Sequence, residues 1–308
     1  MSKTSIDLVR HALNGPTMGT RWSALFHADA VLDAGPIRAA LQAAVTEVDV
    51  QMSTWKPDSD LMRLNRAPAG VWMAVPARLL EVLDLGLRIG AASGGAFDIG
   101  MGDAVRAWGF GSEPASAGAI RAAMAAARRP AHDVLEIDRA ARLVRKRAPV
   151  ALDLNGIAKG YGVDRLAETL RGFGIAAFFV GIDGEMRASG LRPDGRPWAI
   201  AVEAPDPERR APRAILTLED GAVATSGDYR HGVTVQGLRL SHTMDPKTGS
   251  PLRASPASVT VVARLGAGRG PHLRRGRRVG DRADGAGSEG RRRTRRASRP
   301  RCAVPDAR

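Results

Sequence analysis

The stretch with the clearest capacity for chemistry runs from Ala151 to Asp164 and reads A-L-D-L-N-G-I-A-K-G-Y-G-V-D. Apolar residues around Asp153 predict a short buried strand, and the glycine-flanked Lys159 leads into an amphipathic helix. A glycine turn into a helix start offers backbone N–H groups and the positive end of the helix dipole. With one cation and one carboxylate added, the stretch suits a phosphate ester held with a divalent metal ion. The alternative is an ordinary strand-to-helix junction with a surface lysine.

Two glycine-rich stretches nearer the N-terminus are candidate ligand loops. Residues 15–20, G-P-T-M-G-T, form a predicted turn that either brings backbone close to a ligand or simply enters a strand. Residues 93–100, S-G-G-A-F-D-I-G, make a poor core and a good ligand loop.

Three further places in the chain carry candidate site residues, and two of them have two interpretations. Trp55 follows a predicted helix and is either a hydrophobic staple or a stacking platform; the sequence alone favours the staple. Thr225 and Ser226 place two hydroxyl groups at a predicted strand end. His242 and Asp245 precede a Pro/Gly turn, and an isolated histidine is more often structural than a general base.

The elements that must position these residues alternate between helical and extended patterns. Helices are predicted at 37–50, 76–92 and 117–128, with a short helix, capped by Asp58 or Ser59, that ends near Asn65. Strands are predicted at 20–26, 134–137, 143–146, 176–180, 185–188, 199–203, 215–218, 233–236, 238–241 and 259–263. The periodicity alone supports a mixed fold of helices and strands.

Composition limits the protein class. A chain of 308 residues that is 44% hydrophobic can bury a core, and only 4% aromatic residues make that core mostly Ala, Leu and Val. No apolar run approaches a membrane helix, and Met1–Asn14 has no apolar segment typical of a signal peptide, so we expect a cytoplasmic protein without a membrane segment. Cys302 is the only cysteine, which excludes an internal disulfide and a cysteine-based metal cluster.

The formal net charge of +14 is unevenly distributed. Residues 265–308 contain 14 arginines and 4 acidic residues, so the first 264 residues carry only +4. Because the basic charge belongs to one segment, we expect no nucleic-acid partner for the folded domain.

Seven short motifs in one order give the chain a family resemblance. They are TMGT, MSTW-KPDS, GGAFD, LDLNGIAKGYGVD, GIDGE, ATSGDY and SHTMDPKTG, between about Asn14 and Ala263. This order resembles the ApbE family of flavin transferases, which move FMN from FAD onto a threonine hydroxyl of a target protein and release AMP. The resemblance implies FAD as substrate, Mg²⁺ as cofactor, a flavin-accepting partner protein and an α/β fold, T-fold-like, with largely antiparallel sheets.

The resemblance also implies roles for individual residues. FAD would be bound by the side chains or backbone of Met18, Trp55, Ala96, Phe97, Asp98, Asp153, Lys159, Thr225, Ser226 and Asp245. The carbonyl of Gly156 would be a metal ligand, Lys159 would approach the phosphates, and His242 would be the base for the acceptor hydroxyl.

Three segments follow from this assignment: an N-terminal extension (1–13), a flavin transferase domain (14–264) that is incomplete at its C-terminal end, and an Arg/Gly-rich tail (265–308). Family members continue after the last strand into a helix that opens with A-D-A-x-A-T, whose Asp and Thr bind the metal. The tail here lacks that motif and any apolar periodicity, so the sequence predicts disorder. A functional nucleic-acid or membrane arm is the alternative.

A shifted reading frame accounts for the tail better than a functional arm does. Codons can be chosen for residues 276–287 that, read one base forward, encode A-D-A-W-A-T-A-L-M-V-L-G. This string contains the missing motif and an apolar helix at the expected place. The sequence therefore favours an FMN transferase whose activity is impaired by lost metal ligands, with a non-catalytic FAD-binding protein as the alternative. A nucleic-acid-binding role through the tail ranks far below both.

Overall fold

A computed structural model describes residues 8–206, 209, 211–227, 232–235, 238–252 and 256–264. These residues all belong to one compact unit. The tail for which the sequence predicts disorder lies outside the described residues.

Helices and strands alternate irregularly along this unit, as the sequence predicts. The helices are α1 (Ala34–Met52), α2 (Asp60–Arg66), α3 (Ala77–Ala92), α4 (Gly102–Ala107), α5 (Ala117–Ala125), α6 (Ala131–Val134) and α7 (Ala158–Gly172). The strands are β1 (Leu8–Thr17), β2 (Thr20–Asp29), β3 (Trp72–Ala74), β4 (Leu135–Asp138), β5 (Leu143–Lys146), β6 (Phe178–Ile182), β7 (Glu185–Ser189), β8 (Trp198–Glu203), β9 (Pro212–Leu218), β10 (Gly221–Gly227), β11 (Gly232–Val235), β12 (Leu238–Ser241), β13 (Met244–Asp245), β14 (Ser250–Pro251) and β15 (Ser258–Arg264).

The central sheet has the strand order β1-β2-β6-β7-β10-β15, and each neighbouring pair is antiparallel. This arrangement confirms the expected α/β fold with largely antiparallel sheets. Alternate residues of a strand point to opposite faces, and on one face Trp22, Phe26 and Phe178 are almost fully buried. They pack against the apolar sides of α1 and α7. Burial of these large side chains fixes α7 on the sheet, and with it the residues at its start.

The opposite face of the sheet is covered by the hairpin of β8 and β9. Trp198, Ile200 and Leu218 of the hairpin pack with Ala188 and Val223 of the sheet. A second core lies beside the sheet, where α2 and α3 pack around Leu152 and Leu154. The segment that contains Asp153 therefore belongs to the second core, next to the start of α7.

Several elements differ from the sequence-based expectation. Residues 8–13, assigned to an N-terminal extension, form the first part of β1, which pairs along its whole length with β2. The predicted turn at 15–20 contracts to Met18 and Gly19, both with positive φ (45° and 72°). The sequence leaves the cap of α2 open between Asp58 and Ser59. The structure shows that it is Ser59, whose Oγ accepts a 3.1 Å hydrogen bond from the Met62 N–H. The short elements α4, α6, β3, β13 and β14 are not predicted by the apolar periodicity.

The sheet ends at β15, whose side chains are unusually exposed for apolar residues. Val259, Val261 and Val262 are 46%, 59% and 46% exposed. Val259 and Val261 pair with Ser226 and Ala224 of β10, which are also exposed. The expected incompleteness of the domain after β15 stays a prediction, because the residues that follow lie outside the described part of the chain. Separately, none of the described helices is long and apolar enough to cross a membrane.

Candidate functional site at the start of helix α7

Helix α7 begins with features that favour an anion. Its N-cap residue, Ile157, provides no side-chain hydrogen bond, and its first turn contains no acidic residue. Lys159 is the second residue of the helix, with a side chain that is 32% exposed. An uncapped helix start with a nearby ammonium group is a suitable environment for a phosphate group.

Two apolar side chains from distant parts of the chain frame this helix start. Phe97 lies against Gly156, because a Cβ added at residue 156 would be 3.1 Å from Cε2 of Phe97. Met18 reaches the next turn, since a Cβ at Gly162 would be 3.1 Å from Cε of Met18 and 2.9 Å from Cδ1 of Ile182. The structure therefore brings together three of the regions singled out in the sequence: the turn at Met18, the loop at Phe97 and the glycines around Lys159.

The segment Ala151–Leu154 is not a strand, which corrects the prediction from its apolar pattern. Its backbone is held instead by single hydrogen bonds and by the amide side chain of Asn65. Asn65 Oδ1 accepts a 2.7 Å bond from the Leu152 N–H, and Asn65 Nδ2 donates a 2.9 Å bond to the Leu152 carbonyl. The Asp153 N–H also donates to the Ile99 carbonyl at 2.8 Å. Leu152 and Leu154 are buried, as expected, but a side chain replaces the neighbouring strand.

The carboxylate of Asp153 is turned back on its own loop. Oδ1 accepts a 2.8 Å bond from the Asn155 N–H, and Oδ2 accepts a 3.0 Å bond from the Asn155 side chain. Burial raises the pKa of Asp153 to about 6, and the hydrogen bond from the Asn155 backbone opposes this shift. Asp153 therefore titrates close to neutral pH.

Lys159 forms an ion pair with a residue to which the sequence analysis assigned no role. The Lys159 Nζ atom lies 2.7 Å from Oδ2 of Asp183, at the turn between β6 and β7. Asp183 has a positive φ of 54°, and Gly184 follows it. The Asp-Gly pair between two apolar runs was the available signal, since this dipeptide is typical of two-residue hairpins. That signal predicts a tight turn but does not reveal which helix the turn faces.

Glu185 is a second acidic residue beside Lys159 that the sequence analysis left without a role. Burial raises the pKa of Glu185 and Asp183 raises it further, whereas the nearby Lys159 lowers it. The β6–β7 turn therefore presents two carboxylates to the start of α7.

Thr225 and Ser226 lie near the same turn but face opposite sides of the sheet. The Thr225 N–H donates a 3.1 Å bond to the Gly184 carbonyl, while its hydroxyl lies 3.0 Å from that of Thr260. Ser226 is exposed and shares its face with Ala224, the side on which α7 packs. The backbone of Thr225 thus supports the turn, and only the Ser226 hydroxyl lies on the helix side.

His242 and Asp245 belong to the segment that runs from the end of β12 through β13. Asp245 Oδ1 accepts a 3.0 Å bond from the Lys247 N–H, and Oδ2 accepts one of 3.0 Å from the Thr248 hydroxyl. Half-buried His242 is three residues earlier, between β12 and β13. The carboxylate of Asp245 therefore determines the shape of the loop on which the histidine sits.

A cavity of about 480 Å³ connects this loop with the glycine-rich loop. Asp98, Gly100 and Pro246 are among its lining residues. Asp98 is not free to turn into the cavity, because its Oδ1 accepts bonds from the N–H groups of Gly100 at 2.8 Å and Ala131 at 3.1 Å. Its neighbour Ala96 is exposed at the surface of the loop. Asp98 thus orders the loop that carries Phe97.

Trp55 is not a hydrophobic staple, contrary to the interpretation that the sequence alone favours. Its side chain is 59% exposed. A staple residue immediately precedes the helix cap, and the cap of α2 is Ser59 rather than a neighbour of Trp55. An exposed indole suits the alternative role of a stacking surface.

The described residues do not fit a complete magnesium site. Among them, no group of three His, Cys, Asp or Glu residues is placed to hold a metal ion. The backbone at Gly156 is exposed, but one carbonyl group falls short of the carboxylates that usually hold Mg²⁺. The tail in which the sequence analysis places the missing ligands lies outside the described residues.

Comparison with known proteins identifies relatives over this same region. The family model described as "ApbE family" matches residues 18–268. A protein of Vibrio cholerae named FAD:protein FMN transferase is 36% identical over 252 residues, covering 81% of this chain and 75% of the relative. The protein of the same name from Escherichia coli K12 is 32% identical over 256 residues, covering 82% and 73%.

Solved structures give the same picture. The flavin transferase ApbE from Vibrio cholerae superposes with a TM-score of 0.71 at 35% identity, over 83% of this chain and 82% of that one. The ApbE protein of Thermotoga maritima gives a TM-score of 0.72 at 28% identity, over 83% and 82%. The fold is thus shared with these proteins.

Proposed function

The chain belongs to the ApbE family, and from this membership we propose that it transfers FMN from FAD to a protein. The finer proposal is that the acceptor is a threonine hydroxyl, that AMP is released and that the reaction depends on Mg²⁺. The observation that carries the proposal is the geometry at the start of α7, where Lys159 lies between the Phe97–Gly156 contact and the β6–β7 turn. A cation beside apolar surfaces suits a substrate that joins a pyrophosphate to an aromatic ring system.

The reaction is a substitution at phosphorus. The acceptor oxygen forms a bond to the FMN phosphorus, the bond from that phosphorus to the AMP oxygen breaks, and the hydroxyl proton passes to a base. Such a reaction needs positioning, neutralisation of the phosphate charge and a proton acceptor. We assign these tasks to different parts of the site.

Lys159 would bind the phosphate oxygens together with the N–H groups of the first turn of α7, and would stabilise their negative charge as the bond breaks. Phe97, Met18 and the exposed indole of Trp55 would hold the flavin ring. Ala96 and Asp98 would fix the loop, Asp153 would accept a hydrogen bond from FAD, and Ser226 would lie at the edge of the site. His242 would take the proton of the acceptor hydroxyl, with Asp245 holding its loop.

Magnesium, when bound, would supply further charge neutralisation at the pyrophosphate. The described residues offer only the Gly156 carbonyl toward it, so no step of the mechanism above is assigned to the metal. This shortage favours the second candidate function, a protein that binds FAD without transferring FMN. A cytoplasmic location stays a prediction.

The test is to incubate the full chain with FAD, MgCl₂ and the acceptor protein of the Vibrio cholerae relative. We expect protein-bound flavin fluorescence on a denaturing gel and an equal amount of AMP by chromatography, both abolished by EDTA. Saturable FAD binding without AMP release would establish the second candidate instead. Failure to bind FAD, with MgCl₂ or with EDTA, would exclude both candidate functions.

A further inference from the structure

The carboxylate of Glu185 contains a buried atom without a partner. Its Oε2 is inaccessible to solvent and accepts no hydrogen bond within the described part of the chain. A buried carboxylate oxygen without a donor is energetically costly, and such groups call for a functional explanation.

The position of Glu185 directs that oxygen toward the candidate site. Glu185 is the first residue of β7, paired with Ile182 on β6 and with Ala224 on β10. Ile182 belongs to the sheet face that packs on α7. Directly opposed residues share a face, so the Glu185 side chain lies between the sheet and the start of α7.

The charges around Lys159 also place Glu185 in the candidate site. Two carboxylates, Asp183 and Glu185, lie near one ammonium group, and Asp183 holds it at 2.7 Å. An ammonium group has three donors, so Lys159 can contact both carboxylates or exchange one for another acceptor. In the present arrangement Asp183 has the contact and Glu185 Oε2 does not.

We propose that Glu185 is a positioning residue for Lys159: it accepts a hydrogen bond from the ammonium group when Lys159 turns from Asp183 to the phosphates of the substrate. This inference rests on the proposed function. The buried Oε2 receives its donor in the substrate complex, and Lys159 is held in one orientation while its remaining donors face phosphate oxygens. No bond is made or broken by Glu185, and no proton is transferred.

The role predicts opposite effects on binding and on turnover. Removing the negative charge of Glu185 relieves its repulsion with the phosphates, so FAD binding does not weaken. The same change leaves Lys159 without its orienting partner, so the chemical step slows. A merely structural glutamate would weaken binding and turnover together, along with stability.

The experiment uses Glu185→Gln, which keeps the side-chain shape, in the full chain with FAD as the probe. We expect kcat to fall about tenfold, with a Kd for FAD that is equal or lower. In the Lys159→Met background, Glu185→Gln should change kcat by less than about twofold, because the residue acts through Lys159. The matched control is Glu168→Gln, which removes the partner of Arg165 further along the same helix and should leave both constants unchanged.

The proposal would be overturned if Glu185→Gln lowered kcat by the same factor in the Lys159→Met background as in the unmodified chain. It would also be overturned if Glu185→Gln raised the Kd for FAD in parallel with the loss of kcat. A second measurement needs neither FAD nor activity, namely NMR titration of the Glu185 carboxyl group. Lys159→Met should raise its pKa, and Asp183→Asn should lower it by freeing Lys159 to approach. A pKa that moves in neither variant would refute the coupling. Absence of FAD binding by the unmodified chain would refute the proposed function and the role of Glu185 toward bound substrate, whereas the titration would still decide whether Glu185 is coupled to Lys159.

Discussion

The indole Nε1 of Trp108 donates a 2.9 Å hydrogen bond to the carbonyl of Gly249, across 141 residues of chain. This buried bond fastens the loop of His242 and Asp245 to the end of α4. Met244 in the same loop packs against the buried cluster that contains Met101 and Ala104. The histidine assigned as the base is therefore held by contacts with a helix, although its own segment has only short strands.

Replacing Trp108 with phenylalanine should weaken both stability and transfer. The Gly249 carbonyl would lose its donor while it remains buried, which costs about 1–3 kcal/mol. We expect a lower free energy of unfolding in urea and a kcat reduced by about tenfold as the loop loosens. The matched control is Trp198→Phe, which removes a 3.0 Å bond from another indole to the Gly190 carbonyl on the far face of the sheet. That variant should lose stability but keep the kcat of the unmodified chain.

Replacing His242 with alanine should affect the proton transfer alone. Removal of a general base lowers the rate by about 10²–10⁴-fold. FAD binding, measured by quenching of flavin fluorescence, should stay within about threefold, since no phosphate contact is assigned to this residue. His132→Ala, at half-buried His132 on α6, serves as the control and should leave the rate unchanged. A full transfer rate in His242→Ala would show that another group takes the proton.

Replacing Asp153 with asparagine should increase stability at high pH. Burial raises the folded-state pKa of Asp153 to about 6, above its unfolded value. The protonated form is therefore favoured by folding, and stability is lost as the pH rises through 6. Asparagine keeps the turn to Asn155 without the charge, so the variant should be more stable by about 3 kcal/mol at pH 8. Urea unfolding at pH 4, 6 and 8 should show this difference vanish below about pH 4.

Glu136→Gln provides the opposite case for comparison. Hydrogen bonds from Arg147 and then Arg145 lower the pKa of Glu136 to about 2. Its ionised form is favoured by folding, so the variant should be less stable than the unmodified chain at pH 8. This deficit should shrink as the pH falls below the unfolded pKa toward 2. If the stability difference changed with pH in the same direction for both variants, the raised pKa assigned to Asp153 would be wrong.

The reading frame after β15 is open to direct test by sequencing the coding DNA across codons 260–300. We expect a one-base correction to restore A-D-A-x-A-T followed by an apolar helix. The corrected protein should melt several degrees higher, because a helix would cover Val259 and Val261, which are now exposed. Confirmation of the present frame would leave the metal site short of ligands and favour the FAD-binding candidate.

The sequence predicts the helices and most strands of this fold because their apolar periods match the faces that are buried. It fails where a side chain replaces a secondary-structure partner. The Ala151–Leu154 segment has the apolar pattern of a strand, yet its hydrogen-bonding partner is the amide of Asn65, 87 residues away. No local pattern can reveal such a pairing.

In the candidate site, too, some residues can be predicted from local patterns and others depend on tertiary contacts. Lys159, Phe97 and Met18 stand out in the sequence through the glycines around them, and the structure places all three at one end of α7. Asp183 and Glu185 lie in the motif GIDGE, but no local pattern gives them a role, since an acidic residue at a tight turn is ordinarily solvated. Their importance depends on which helix the turn faces, a tertiary relationship that a single sequence does not contain.

The most direct test of the account is the intact mass of the acceptor protein after incubation with the full chain, FAD and MgCl₂. We predict an increase equal to one FMN group, lost when the acceptor threonine is replaced by alanine and reduced in Lys159→Met. An unmodified acceptor beside intact FAD, under conditions in which the Vibrio cholerae enzyme modifies it, would contradict the proposed transfer.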